Sequence, residues 1–590
     1  MRFPAKALLL TLLLTLLLAL AAARCPAQSH LAVDLKDPVY PLLELGELKG
    51  LLSRLSAVRP YSLSEILRFL DLMWERRELL SPHEKEILEQ TRARLGSSPS
   101  GLRYGSVRTG KEGFFVRAGA DVRSELRVNA DAPEAWTLES AVRAYLRGDL
   151  APWLSYSGSA GGTFDRVGYD AGAPITVPAA LRYPAFAPYG FSKEWDAYHI
   201  GFGEPRIVHE DNLPNPMFSY DLGMDIGAQF KEDAITVRAA RFRREWGPGD
   251  GSLTLSGTAR PVLGVEVHAR LAPWIAIHHL TGGLSDWSRE PSGHYSGYSN
   301  PAELSYQKLF TVQRLELFPW PWLYASASST VVGARRLEPG YLAPLIFALI
   351  WQNTIGDLDN VGVGVDLAAT LPRWGRLYFS FYADEMEFTS LKEMFSRPRN
   401  MFALQAGLKA PIPGLPFTGL TFQYTRIEPF TYAHYPTWYA DFRLPVETSY
   451  THDGENLAYA LYPNSDEFLV KLWSLPLPRL KASLEYRLVR HGDNPDKEPG
   501  DPFILGRPEA YLDYTVGLDS YPNKDFLHDG LYDFNHIVTL AGSYALPWFP
   551  ATVSLSYSFV YTFWDPNGTG LTAPPVQVRN ILALSLTVFR

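Results

Sequence analysis

Residues 114–128 of the chain read FFVRAGADVRSELRV. Apolar or small side chains fill every second position from Phe114 to Val128, and charged side chains fill most of the positions between them. A repeat of two residues is the period of a β-strand, whose successive side chains point to opposite faces. The stretch therefore predicts one long strand with an apolar face and a charged face.

The length and charge of this strand indicate a membrane barrel. Strands of soluble proteins usually run about 5–6 residues, whereas a barrel strand needs about 9–11 residues to cross a bilayer. Barrel strands turn apolar side chains to lipid and polar ones to the lumen, because an arginine against the middle of the lipid costs roughly 2–4 kcal/mol. We expect the stretch to be a transmembrane strand.

The same alternation recurs along most of the chain. Apolar side chains occupy every second position over residues 263–270, 361–367, 402–408, 480–488, 552–559 and 581–589, whereas residues 310–317 alternate poorly. We expect one all-β region from residue 101 to residue 590, closed into a transmembrane barrel of antiparallel strands.

Two kinds of connection separate these strands. Eight are short, and seven of those carry proline or tryptophan; they lie at residues 151–153, 231–233, 272–274, 318–322, 371–374, 411–416, 473–478 and 546–550. Five are long, at about residues 165–216, 283–304, 333–357, 428–466 and 491–533. Outer-membrane barrels have short periplasmic turns and long external loops. Eight turns that each join two strands, with a first and a last strand added, predict about eighteen strands.

A soluble all-β enzyme is the alternative to this reading. It leaves unexplained why seven of the fifteen tryptophans lie in or beside the short turns: Trp153, Trp274, Trp320, Trp322, Trp374, Trp473 and Trp548. Tryptophan is enriched where a membrane meets water. A belt of tryptophan on one side therefore favours the barrel.

The first 27 residues resemble a secretory signal. Arg2 and Lys6 form a basic end and a leucine-rich run follows, so we expect removal of residues 1–27, with cleavage after Ala23 as a second option and a retained helical anchor as the alternative. Cys25 is the one cysteine of the chain. Lipid modification of Cys25 is disfavoured by the bulky Arg24 before it. The mature chain would then have no thiol chemistry.

Residues 28–100 have helical rather than strand periodicity. Ser62 and Glu65 form a capping box at the start of an apolar stripe, Ser81 and Glu84 repeat the device, and an earlier helix is predicted over residues 42–52. Helices this short are marginal alone and must pack on one another or on the barrel. We place this segment in the periplasm, where export machinery is a candidate partner.

Composition and motifs argue against several functions. The formal charge of −8 and a pI near 6.0 disfavour a nucleic-acid binder. The sequence contains no nucleophile elbow, zinc-protease helix or phosphate loop. His278 and His279 are adjacent on a strand and point to opposite faces, so they cannot chelate one ion together. We expect no enzyme, cofactor or metal site.

Residues 241–261, RFRREWGPGDGSLTLSGTARP, resemble a segment of the capsule assembly protein Wzi family. Val39-Tyr40, Arg59-Pro60, Asp359-Asn360 and the overall length agree with this resemblance. It implies an eighteen-stranded outer-membrane barrel with a periplasmic helical bundle, acting as a surface lectin that helps to hold capsular polysaccharide. No short sugar-binding motif can be carried over from the family.

The motif can also be interpreted without the family. Gly247, Gly249 and Gly251 permit a tight excursion where a strand leaves the membrane, and Trp246 would then lie at the outer rim. The alternative is that Arg244 and Glu245 pair inside the barrel and the motif only shapes a loop.

The long connections contain the residue types that sugar-binding sites use. Aromatic faces stack on sugar rings while carboxylates bind hydroxyls. The candidate ligand-binding residues are Trp246, Asp286, Trp287, Tyr295, Tyr298, Tyr435, Trp438, Tyr439 and Asp441. The alternative is that these aromatic side chains pack the loops into a lid.

The most apolar internal stretch is residues 341–351, interrupted by Pro344. It is too short to span a membrane, and we expect it to fill the lumen. A filled lumen favours a polysaccharide-binding barrel over a porin or transporter for small or apolar solutes, which is the second hypothesis. An outer-membrane hydrolase is the third.

Overall fold

A computed structural model describes residues 30–96, 101–103, 106–111, 114–168, 198–201, 204–206, 217–231, 234–288, 304–334, 338–342, 348–356, 359–387, 390, 393–397, 399–432, 437–439, 444–446, 448–452, 455–461, 463–492, 526–527, 532–566, 570 and 572–588. The predicted signal and Cys25 lie outside these residues. The barrel strands are β1 (Phe114–Asn129), β2 (Ala132–Ala151), β3 (Leu154–Gly168), β4 (Met217–Phe230), β5 (Ile235–Phe242), β6 (Val262–Ala272), β7 (Ile275–Ser288), β8 (Leu304–Trp320), β9 (Leu323–Ala334), β10 (Asn360–Leu371), β11 (Gly375–Glu385), β12 (Met401–Pro411), β13 (Thr418–Ile427), β14 (Ser465–Leu477), β15 (Leu480–His491), β16 (Tyr532–Ala545), β17 (Ala551–Asp565) and β18 (Gln577–Val588).

These strands form one closed wall. Each pairs antiparallel with its neighbour in sequence, and β18 closes on β1, with Ile581 opposite Asn129 and Val588 opposite Val122. A short hairpin, Gly101–Arg103 with Ser106–Lys111, extends the wall along the first half of β1. The predicted eighteen-stranded antiparallel barrel is confirmed.

The two faces of the wall differ as the alternation predicts. On β6, the outward Leu263 and Val265 are 50% and 52% exposed, whereas the inward Glu266 is 1% exposed. In a membrane the exposed apolar band would face lipid. Tryptophans at the short turns are also exposed, namely Trp274, Trp320, Trp322, Trp374 and Trp548. Trp473 differs, because the N-terminal helices bury it.

Three helices close the short-turn end: α1 (Val39–Leu48), α2 (Leu63–Glu75) and α3 (Pro82–Gly96). The capping box at α2 is present, because Ser62 Oγ accepts from the Glu65 N–H at 3.2 Å and Glu65 accepts from the Ser62 N–H at 3.0 Å. The helices share one apolar cluster with three barrel residues near the short turns, Phe417, Trp473 and Leu475. This cluster anchors the helices to the wall. Among the described residues, no helix has the length and apolarity to cross a membrane.

A fourth helix lies on the opposite side of the wall from the lumen. We call residues 338–342 and 348–356 the outer-wall segment; it contains a 3₁₀ turn (Pro339–Leu342) and α4 (Ala348–Ile355). Tyr341 and Ala348 pack on Val331 and Val361, which are outward-facing residues of β9 and β10. The expectation that this stretch fills the lumen is therefore wrong. An apolar segment gains more against the outer wall than against a lumen lined with charges.

The outer-wall segment also explains why residues 310–317 alternate poorly. Thr311 and Gln313 on β8 face outward, yet they are 2% and 9% exposed because this segment covers them. The Gln313 amide donates to the Tyr341 carbonyl at 2.9 Å. On the inner face, Phe310 and Val312 join an apolar cluster within the lumen. Polar residues outside and apolar residues inside reverse the usual pattern on this strand.

Candidate functional site

Two chain segments enter the lumen from opposite ends and meet inside it. The plug loop, residues 243–261, leaves the wall between β5 and β6 at the long-connection end. The N-terminal segment, residues 30–61, enters from the short-turn end. They join as a two-stranded antiparallel sheet in which Trp246 lies opposite Val58 and Glu245 lies opposite Arg59. The lumen is thus crossed by protein.

Trp246 lies inside the barrel rather than at the outer rim. Its side chain is 1% exposed and meets the rings of His268 and His278 edge-on, at 6.1 Å and 6.2 Å between centroids. Its carbonyl accepts from Arg314 Nη1 at 2.9 Å. The predicted rim position is wrong, because polar groups of the lumen wall bind the backbone around the indole and draw the motif inward. In this conformation a glycan cannot contact Trp246.

Buried ion pairs hold the plug loop to the wall. Arg244 Nε donates to Glu266 at 2.7 Å, and Arg238 donates to the same carboxylate at 3.1 Å. The anticipated Arg244–Glu245 pair does not form. Removing one partner from such a buried pair leaves an uncompensated charge and typically costs about 3–5 kcal/mol. The plug loop is thus held in the lumen, because Arg244 would lose its carboxylate partner Glu266 if the loop moved out.

A second network ties the N-terminal segment to β8. Glu316 accepts from Ser56 Oγ at 2.6 Å and from the Ala57 N–H at 2.9 Å, and it lies 3.0 Å from His278 Nε2. Arg314, two residues earlier, bonds Tyr324 Oη at 2.6 Å and pairs with Asp366. Glu316 and Arg314 of β8 thus bind both the inserted segments and neighbouring residues of the wall.

Glu245 is a titratable group buried between these segments. Its carboxylate accepts from the Gly257 N–H at 2.8 Å. Burial raises the pKa of Glu245 to about 7, while the guanidinium of Arg59 and the Gly257 N–H act in the opposite direction. The carboxyl therefore changes charge near neutral pH.

The glycines of the motif serve close packing. Gly251 has φ +89°, and a Cβ there would lie 2.5 Å from the Tyr459 ring; a Cβ on Gly249 would lie 2.0 Å from Gln405 Oε1. Asp250, between them, accepts from Lys471 Nζ at 2.7 Å. Burial acts to raise the pKa of Asp250, but Lys471, Lys409 and Arg487 hold it below its ordinary value. The motif thus shapes a loop, as the structural alternative predicts.

The two ends of the long connection between β13 and β14 also enter the lumen. Tyr432 and Tyr450 are fully buried, stack on each other and pack at a tilt against Tyr382 of the wall, with ring centroids 5.1–5.7 Å apart. The Tyr432 hydroxyl donates to the Leu253 carbonyl at 2.8 Å, and Lys308 Nζ donates to the Ser449 carbonyl at 2.9 Å. Sequence reasoning missed these anchors, because nothing local distinguishes a loop tyrosine that turns inward.

The predicted glycan-binding residues fall mostly where side chains are not described. Trp438 and Tyr439 lie on a short strand (Thr437–Tyr439) paired with a second one (Leu444–Val446). Asp286 and Trp287 lie at the end of β7, opposite Tyr306 and Ser305 of β8. Tyr295, Tyr298, Tyr435 and Asp441 lie outside the described residues. All eight remain predictions.

The described residues contain no group of three or more histidine, cysteine, aspartate or glutamate side chains that could hold a metal ion.

Comparison with known proteins yields structural matches. No protein-family model matches the sequence, and no curated protein matches it. Two Pseudomonas aeruginosa barrels, OccK3 (OpdO) and OpdK with vanillate, align over 80% of this chain and 95% and 98% of their own, with TM-scores of 0.37 and 0.39 and 10% identity.

Wzi, an outer membrane protein of Escherichia coli involved in group 1 capsule assembly and a carbohydrate-binding β-barrel, aligns over 95% of this chain and 99% of its own. Its TM-score is 0.54 and its sequence identity is 12%. The chain therefore shares the fold of Wzi, an outer-membrane β-barrel of eighteen strands.

Proposed function

We propose that the protein is a non-catalytic outer-membrane barrel of a diderm bacterium that binds or anchors surface polysaccharide, capsular or exopolysaccharide, through its extracellular connections. Residues 1–27 would be removed as a signal. Residues 28–100 would lie in the periplasm, where α1–α3 offer a surface to export machinery. Residues 101–590 would form the barrel in outer-membrane lipid.

The observation that carries this proposal is the pair of inserted segments in the lumen. Buried ion pairs and hydrogen bonds fasten the plug loop at Arg244, Trp246 and Asp250, so it is part of the folded core. A channel for solutes could open only if these inserted segments moved out of the lumen. A barrel so filled is better suited to presenting loops than to transport, and the resemblance to a carbohydrate-binding barrel supports the same conclusion.

The anchoring of the β13–β14 connection supports a role for its tip. Tyr432 and Tyr450 hold its base in the lumen, and the short two-stranded sheet that contains Trp438 and Tyr439 lies between them in the chain. An anchored base lowers the entropy that a connection loses on binding. We place the glycan contact there, with Tyr435 and Asp441, and on the β7–β8 connection with Asp286, Trp287, Tyr295 and Tyr298.

A glycan array with the purified protein in detergent tests the proposal. We expect selective binding to one class of bacterial polysaccharide, weakened at least tenfold by Trp438→Ala or Trp287→Ala because each removes a stacking surface. Trp374→Ala, at an exposed short turn on the other end of the barrel, is the matched control and should bind normally. Absence of glycan binding by the folded wild-type protein would contradict the proposal.

A further inference from the structure

A cleft at the short-turn end of the barrel is separate from the proposed glycan-binding loops. It lies between α1, residues 54–61 and the lower ends of β8–β11, and it is an open-sided cleft with roughly 50 Å³ of enclosed space. A water needs about 10–15 Å³ on this measure, so the enclosed space suits a group the size of a carboxylate or phosphate, and the rest of a ligand would extend through the open side. Its walls combine aromatic rings, including Tyr61 and Trp322, with three arginines, Arg54, Arg59 and Arg376.

The acidic groups of the cleft are already satisfied. Glu47 pairs with Arg376 and also accepts from the Leu55 N–H at 3.2 Å. Glu44 binds Lys409 Nζ at 2.6 Å and lies 3.7 Å from Arg376. Arg376 is thus committed to two carboxylates, and Arg59 lies opposite Glu245 of the plug loop. Neither Glu44 nor Glu47 forms an ion pair with Arg54 among the described residues.

Arg54 and Arg59 retain unused donor capacity. Arg59 Nη2 donates to the Gly247 carbonyl at 3.1 Å, but its Nε is buried without an acceptor. Arg54 Nε is also buried without an acceptor, and among the described residues Arg54 forms no ion pair or hydrogen bond. A buried donor without a partner is unfavourable unless a ligand supplies the acceptor.

The backbone at Arg54 supports the same conclusion. Its φ is +60°, in the left-handed region that non-glycine residues seldom adopt. Residues held in such conformations concentrate at ligand-binding sites. Glycine would adopt this conformation without strain, so an arginine here carries a backbone cost that a ligand bound by its side chain would offset.

We propose that this cleft binds the oxyanion of a small carbohydrate, a carboxylate or a phosphate, with Arg54 and Arg59 as donors and Trp322 beside the sugar ring. Guanidinium groups match both oxyanions with paired, charge-assisted hydrogen bonds. The site would bind a single acidic sugar at the short-turn end of the barrel, where the helices lie. This binding would be independent of polysaccharide bound by the loops at the other end.

Titration of the full-length mature protein in detergent micelles tests this site, with tryptophan fluorescence and calorimetry as readouts. Glucuronate and glucose 6-phosphate are the probes for a carboxylate and a phosphate, and glucose is the neutral control. We expect saturable binding of at least one acidic probe and none of glucose. Equal responses to all three sugars, or no saturable response, would overturn the proposal.

Variants of Arg54 separate binding from folding. Arg54→Gly removes the guanidinium and the backbone strain together, so affinity should fall tenfold or more while the unfolding midpoint stays equal or rises. Arg54→Lys should keep part of the affinity. Arg77→Ala, an exposed arginine of the helical region, should bind normally. Unchanged affinity in Arg54→Gly would refute the site, whereas a failed glycan array would leave it standing.

Discussion

The plug loop and the outer-wall segment leave the barrel at the same end and lie on opposite sides of its wall. The plug loop carries Arg244, Glu245 and Asp250, and each finds a partner inside the lumen. The outer-wall segment is largely apolar and packs Tyr341 and Ala348 on the outward face of β9 and β10.

This difference teaches that the groups around an aromatic residue decide on which side of the wall it lies. Trp246 is large and apolar, yet it lies inside, because its carbonyl and its neighbours are bound by luminal arginine and glutamate. Tyr341 lies outside although it is partly polar, because its carbonyl finds Gln313 there. Hydrophobicity alone predicts the wrong side for Trp246.

The largest expected effect on stability comes from removing the buried side chain of Trp246 from the plug loop. Trp246→Ala removes a fully buried indole and should lower the free energy of unfolding by about 3–5 kcal/mol. Guanidinium unfolding in micelles, followed by near-ultraviolet circular dichroism, measures the loss. The matched control Trp374→Ala removes an indole that is 83% exposed and should change little. Equal losses would show that Trp246 is not packed as described.

The next effect concerns the pH dependence of the plug. The folded state keeps the Glu245 proton up to about pH 7, whereas the unfolded chain loses it near the ordinary value. Stability should therefore be full below about pH 4 and fall as the pH rises to 7, by roughly 1–3 kcal/mol.

Glu245→Gln is uncharged at every pH and should remove this part of the dependence. Unfolding midpoints at pH 4.5 and pH 8 for both proteins provide the comparison. An identical shift in wild type and variant would assign the pH dependence to other groups.

A smaller effect is expected outside the wall. Gln313→Leu removes the donor to the Tyr341 carbonyl and should weaken attachment of the outer-wall segment by about 1–2 kcal/mol. Hydrogen exchange of residues 338–342 and 348–356 should accelerate, while exchange in the plug loop stays unchanged. Gln90→Leu on the exposed face of α3 is the control. Faster exchange in the plug loop instead would place Gln313 on the luminal side.

The smallest effect concerns the exposed face of α4. Ile350 is 64% exposed and we expect it to contact lipid near the membrane surface, where a lysine costs up to about 1 kcal/mol. Ile350→Lys should therefore lower stability slightly in lipid vesicles, whereas Asn353→Lys on the same helix should not. No difference between the two would indicate that α4 lies in water.

The wall could be predicted from sequence because its signal is local. Alternation along β1 and the tryptophans at the short turns reflect contact with lipid and with the membrane–water interface. Each residue makes this contact independently of distant residues, so the pattern can be recognised in a short stretch of sequence. The strand number and the helical cap followed from the same kind of evidence, with α1 beginning at Val39 rather than near residue 42.

The lumen could not be predicted, because its contacts join distant parts of the chain. Glu316 binds Ser56 and Ala57, and Arg314 binds the carbonyl of Trp246. No pattern of spacing marks such partners. The one available signal was the poor alternation of residues 310–317, where charged residues face inward and Thr311 and Gln313 face outward under a covering segment.

Electrical recording in planar lipid bilayers tests most directly whether the plug is part of the folded barrel. The wild-type protein should insert without the stable ion current of an open diffusion porin, and deletion of residues 30–96 together with replacement of residues 244–260 by a short glycine-serine bridge should raise the conductance. A porin-like conductance in the wild-type protein, equal to that of the excised variant, would contradict a filled lumen and favour a transporter.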